Sequence, residues 1–253
     1  MKAFHSKQEI KDKVLAQLQA HHDADEISKG IYWENGKGCG VGCTVHSGNR
    51  KDYETQLGIP RWLAHLEDRL FQGMPDEDSK KWPLLFSESI TPGQDLDKVK
   101  APFLIFVLDC SLEKFDHCKY PKIKQGIDRV IDLYRSGGSK EDFKAAADAA
   151  VAAANDAYAA YAAASADAAA ASAAAAADVY AAAADAASAA ATADAATSAA
   201  YAYADADAAA SACAAQAAAC AAASAAASAA AYARRKEYKK FSKKLIQLLR
   251  ECG

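Results

Sequence analysis

From Ser139 to Cys252 the chain contains neither glycine nor proline, and alanine supplies 59 of the 87 residues from Ala145 to Ala231. Alanine loses no side-chain entropy on entering a helix and is the strongest helix former. A single helix over this stretch would run roughly 170 Å at 1.5 Å per residue. No continuous heptad of large side chains offers a partner of that length. The tract is therefore expected to fold back on itself as a multi-helix array. With glycine and proline absent, its turns fall to polar residues. The candidates are Asn155-Asp156, Ser165 to Asp167, Asp178, Thr192 to Ser198, and Asp205 to Asp207. Faces of bare alanine let helices approach closely and predict a homo-oligomer.

Charge is segregated around this tract. Ala145 to Ala231 holds eight aspartates and no lysine, arginine or glutamate, whereas Tyr232 to Gly253 holds eight Lys/Arg against two glutamates. Cations near a helix C-terminus suit its dipole. In that basic segment Phe241, Leu245, Ile246, Leu248 and Leu249 form an apolar stripe, which predicts a helix docked on the N-terminal half. The net charge of −3 implies no attraction to a nucleic-acid polymer or an anionic membrane. The opening MKAFHSKQEIKDK lacks the apolar core of a signal peptide, and no long uncharged apolar run is present. Seven irregularly spaced cysteines read as reduced thiols, so a cytoplasmic protein is expected.

The first half reads as a series of shorter helices. Ser6 and Glu9 form a capping-box pattern ahead of a helix expected to reach about Ile27. Gly58 stops a second helix, Pro60 opens a third along Trp62, Leu63, Leu66 and Leu70, and Gly73 closes it. A further helix is expected over PDEDSKKWPLLFSESI with a break near Pro83. Another is expected over the apolar run Leu104 to Leu108. The next carries Ile123, Ile127, Val130, Ile131 and Leu133 inward and ends at Gly137-Gly138. Ser139 to Asp142 caps the start of the alanine-rich tract. The fold class is thus all-α: an N-terminal helical module (residues 1–138) with a glycine-rich loop, packed against an alanine-rich multi-helix array (139–253) that ends in a basic amphipathic helix.

The loop GIYWENGKGCGVGCTVHSG, residues 30 to 48, concentrates the chemistry-bearing side chains. Alternating glycines can let successive amide hydrogens converge on an anion. Trp33 would stack on a planar ring and Lys37 would add charge. Thr44 and His46 would donate hydrogen bonds. The binding set is Trp33, Glu34, Lys37, Gly38, Gly40, Cys43, Thr44 and His46, and the expected partner is a small anionic or nucleotide-like molecule. A second reading is a hydrolase or transferase, with Cys39 or, in the favoured form, Cys43 as nucleophile, His46 as base and Glu54 or Asp52 as its orienter. A third is zinc at Cys39, Cys43 and His46, with His65 or Cys118 as fourth ligand. A fourth is a tight turn in a scaffold whose working surface is the alanine array. His21-His22-Asp23 with Asp25 and Glu26 reads as a solvated helix face.

Two blocks, YWENGKGCGVGCTVHSG and YETQLGIPRWLAHLEDRLFQGMP, resemble those of a group of uncharacterised bacterial and phage proteins that also carry an alanine-rich helical tail. The resemblance implies that the loop and the LGIP helix act as one module. It carries no activity over to this chain.

Overall fold

A computed structural model describes residues 1–113, 121–139, 141–146, 148–149, 152–153 and 227–252, with side chains in the last segment from Arg235 onward. The fold is all-α, with one two-stranded hairpin among the described residues. The helices are α1 (Gln8–Asp23), α2 (Gly40–Val45), α3 (Lys51–Leu57), α4 (Arg61–Gly73), α5 (Asp76–Glu88), α6 (Asp97–Leu112), α7 (Pro121–Ser136) and α8 (Ala227–Glu251). Strands β1 (Trp33–Glu34) and β2 (Lys37–Gly38) lie between α1 and α2. No described helix is long and apolar enough to cross a membrane.

Two compact units emerge. One gathers Met1–Phe103 with Arg235–Gly253; the other begins at Leu104 and includes α7. The division after Phe103 falls inside α6.

In the first unit α1 packs on α5, and α2 sits among α1, α4 and α5. The stripe on α4 points inward as its spacing demands: Trp62, Leu63, Leu66 and Leu70 are all buried. Gly58 takes φ 63° at the end of α3, and Pro60 precedes α4 as its cap. On α8, Phe241, Leu245, Ile246, Leu248 and Leu249 are buried. Gln94 Nε2 donates to the Leu249 carbonyl at 2.6 Å, and Lys239 pairs with Asp78 at 3.0 Å. The basic helix is therefore docked on the N-terminal elements, as its stripe predicts.

Three local expectations are corrected. The Ser6–Glu9 capping box does not form: α1 starts at Gln8 with Lys7 as cap and no side-chain cap bond. Phe4, wholly buried, draws Ala3–Ser6 into a tight turn in which Phe4, His5 and Ser6 all have positive φ. Tertiary burial overrides the local signal there. Helix α1 stops at Asp23, and Ile27 instead pairs with Gly38 as a β-bridge. Helix α5 runs through Pro83 without a break. The buried Pro83 ring fills the notch left by Gly40, where an added Cβ would lie 2.8 Å from its Cγ. That packing offsets the missing amide bond.

In the second unit, Ile123, Ile127, Val130, Ile131 and Leu133 of α7 are buried as expected. Gly137 follows with φ 73°. Ser139 and Asp142 cap each other: the Asp142 amide donates to Ser139 Oγ at 3.1 Å, and the Ser139 amide donates to Asp142 Oδ2 at 3.0 Å. The Tyr134 and Phe143 rings lie 4.8 Å apart. The expected turns of the alanine array lie outside the described residues.

Candidate functional site

The glycine-rich stretch resolves into a hairpin followed by a helix. Asn35 and Gly36 both have positive φ between β1 and β2, the geometry of a two-residue Asn-Gly turn. The neighbouring amides are then consumed by the protein itself. Gly38 N–H donates to the Glu26 carbonyl at 3.1 Å, and Cys39 N–H to the Ile31 carbonyl at 2.7 Å. From Cys43 on, the amides enter the ladder of α2. The Gly38 and Cys39 amides, and those from Cys43 on, are therefore not open to an anion.

The glycine spacing has a packing cause instead. A Cβ at Gly38 would lie 2.3 Å from the Tyr32 carbonyl oxygen, and one at Gly42 would lie 1.7 Å from it. A Cβ at Gly40 would meet Glu67 Oε1 at 2.3 Å. Alternation thus lets α2 lie against β1 on one side and against α4 and α5 on the other.

The candidate side chains separate accordingly. Trp33 and His46 come together, with rings stacked at 4.5 Å and 14°, so that indole face is covered by imidazole. Lys37 is exposed and its charge acts on Asp25; Glu34 is exposed opposite it in the hairpin. Thr44 is buried and donates Oγ1–H to the Gly40 carbonyl at 2.7 Å. Cys43 is fully buried and donates its thiol to the Gly38 carbonyl at 3.4 Å. Burial, reinforced by Glu26 and Glu67, pushes that thiol up to about 12. Burial also pushes the Cys39 thiol upward, with Asp68 adding to it. Neither cysteine is a ready thiolate. Glu54 Oε1 accepts the Arg61 amide at 3.0 Å and so caps α4 rather than orienting His46. Among the described residues no three or more His, Cys, Asp or Glu side chains are grouped to hold a metal ion. Cys118 lies outside the described residues.

His46 sits at the C-terminus of α2 with left-handed φ 51° and ψ 41°. Its Nε2 faces His21 Nε2 at 2.8 Å, and His21 Nδ1 meets Glu26 Oε2 at 2.6 Å. Burial holds the His46 imidazole below its ordinary range, with His21 and Lys13 adding to the shift and Glu26 opposing it. Beside His46 opens a groove of about 510 Å³ between α1, α2 and α3. Lys7, Glu9, Lys13 and Gln17 line it from the α1 side, and Thr44, His46 and Gln56 from the other. Neither lysine forms an ion pair among the described residues. Gln17 Nε2 donates to the Cys43 and Thr44 carbonyls at 2.7 and 2.9 Å, fixing the α2 terminus against α1.

Beneath α2 lies a second polar cluster. Glu67 on α4 is fully buried, and neither carboxylate oxygen has a hydrogen-bond partner. Burial pushes its carboxyl well above the usual carboxylate range; Asp68 pushes the same way, while the Tyr53 hydroxyl and Arg50 oppose. The buried Tyr53 and Tyr32 hydroxyls also lack hydrogen-bond partners. Asp68 is satisfied by Arg50 Nη2 at 2.6 Å, and the Arg50 guanidinium lies 4.4 Å from the Tyr32 ring centre.

Sequence reasoning missed Glu67, although it falls on the same helical face as Leu63 and Leu70. It also placed His21 and Glu26 on a solvated face, because the hairpin that returns Trp33 and His46 to α1 is not visible in α1 itself. In comparisons with known proteins, no family model, curated protein or solved structure matches the chain.

Proposed function

We propose that the protein binds a small anionic ligand in the groove between α1, α2 and α3, without catalysing a reaction on it. The observation that carries this reading is the pair of lysines, Lys7 and Lys13, that line the groove beside His46 against a single carboxylate, Glu9. A volume of about 510 Å³ falls in the range of small-molecule sites and suits a ligand of mononucleotide size. The reading keeps His46 and Thr44 from the sequence-based set and replaces Lys37 with Lys13 as the neutralising charge. His46 is held by Trp33 and His21, so ordering it on binding costs little. Cys43 is not used, since its thiol is buried and protonated near neutral pH.

The test is thermal melting with inorganic phosphate and with nucleoside mono- and diphosphates. A ligand that binds only the folded state stabilises it by RT ln(1 + [L]/Kd), about 2.7 kcal/mol at a hundredfold excess over Kd. The shift is expected to disappear in Lys13→Glu and to persist in Lys37→Glu. Equal shifts in Lys13→Glu and the parent protein, or no shift with any of these anions at millimolar concentration, refute the proposal.

A further inference from the structure

We propose that His21 and His46 form a two-nitrogen site for a divalent transition metal of the zinc, nickel or copper class. The proposal stands on the geometry of the two imidazoles and does not depend on the anion reading. Two Nε2 atoms from separate elements point at each other across 2.8 Å. Their rings cross at 83° with centroids 5.0 Å apart. Each ring is held from outside the pair: Glu26 takes His21 Nδ1 at 2.6 Å, and Trp33 stacks on His46.

The carboxylate decides the tautomer. With Nδ1–H donated to Glu26, His21 turns the Nε2 lone pair toward His46. That is the form in which an imidazole ligates a metal, and a carboxylate behind the distal ring nitrogen is the usual second partner of a metal-bound histidine. Between two neutral rings in this arrangement, a hydrogen bond requires the proton on His46 Nε2. If that proton moves to His46 Nδ1, two lone pairs converge and a cation between them satisfies both. Tetrahedral coordination at about 2.0–2.1 Å per bond places two ligating nitrogens about 3.3 Å apart. The present 2.8 Å separation therefore has to open by about half an ångström, which a small rotation of the exposed His46 supplies.

Imidazole nitrogen selects borderline metals; magnesium and calcium prefer oxygen donors. Two protein ligands leave the other coordination positions to water or to an anion. His46 also lines the groove that Lys13 borders from α1.

The experiment is a titration of the full, freshly chelator-treated chain with ZnCl2, NiCl2 and MgCl2, followed by calorimetry. It is paired with electron paramagnetic resonance after addition of one equivalent of CuCl2. One zinc or nickel equivalent is expected to bind, with no response to magnesium. His46→Asn, which keeps a residue that tolerates left-handed backbone, is expected to lose that equivalent. Glu26→Gln is expected to weaken it by about 10- to 100-fold. The copper spectrum is expected to show coupling to two imidazole nitrogens. Undiminished binding in His46→Asn, or a spectrum without imidazole nitrogens in the protein as isolated, overturns the assignment. The spectrum decides the matter even if the variant fails to fold. Metal binding that persists when phosphate and nucleotides produce no melting shift removes only the anion reading.

Discussion

Replacing Glu67 with glutamine should change how the stability of the first unit responds to pH. Glu67 is wholly buried, and that burial makes its carboxyl hold a proton well above the pH at which an exposed glutamate releases it. The unfolded chain releases that proton near the ordinary glutamate value, about 4.3. Between this value and the raised folded one, the unfolded state therefore carries one proton fewer than the folded state. Stability falls as pH rises through that window, by about 1.4 kcal/mol per pH unit for one proton. Glutamine has nearly the same shape and does not titrate, so Glu67→Gln removes this slope. The variant should gain about 1.4 kcal/mol on the parent for each pH unit inside the window, and the gain should level off once pH exceeds the folded value. Urea titrations at pH 5, 6 and 7 measure the difference, and other ionisable groups cancel between the two proteins. All three tryptophans (Trp33, Trp62 and Trp82) lie within residues 1–103, so their fluorescence reports on the unit in question. Trp82 is the nearest probe, because its Nε1–H donates to the Glu67 carbonyl at 3.2 Å. Parallel stability profiles for parent and variant would show that Glu67 is ionised in the fold, and the argument from its burial would fail.

Gly42→Ala should destabilise the first unit by about 2 kcal/mol or more, because its Cβ would sit 1.7 Å from the Tyr32 carbonyl oxygen. Gly48→Ala, with no atom within 4 Å of its Cβ, is the matched control and should stay within about 0.5 kcal/mol; equal losses at both positions would refute the packing account. For Cys43, a thiol pushed up to about 12 should resist iodoacetamide at pH 7.5 in the native protein and react readily in urea. Half-buried Cys252 should label before Cys43, and peptide mass spectrometry reads both sites; fast native labelling of Cys43 would restore it as a nucleophile.

Much of the helical framework was legible from short-range patterns. The α7 stripe from Ile123 to Leu133 and the α8 stripe from Phe241 to Leu249 bury the residues that their spacing selects. The Ser139–Asp142 cap also forms from its local signal. The candidate site was less legible because its partners are distant in sequence. Asn35-Gly36 carried a hairpin signal, but alternating glycines fit an anion cradle equally well until the Glu26 and Ile31 carbonyls are seen to take the amides. The same holds for His21, whose neighbour His46 arrives only after the chain reverses through β1 and β2. Ser6 shows the converse failure: a valid local cap signal lost to the burial of Phe4 two residues earlier.

The docking of α8 has a consequence for biosynthesis. Residues 1–103 leave the ribosome well before the segment that completes their core, since Arg235 onward belongs to the same unit. At about 5–20 residues per second, the intervening chain takes on the order of ten seconds to make. Throughout that delay the surface destined for Phe241 and Leu245 stays uncovered on the nascent polypeptide. Chaperone capture during translation is the expected guard for it, and stalled chains that end before α8 are expected to be cleared by proteolysis.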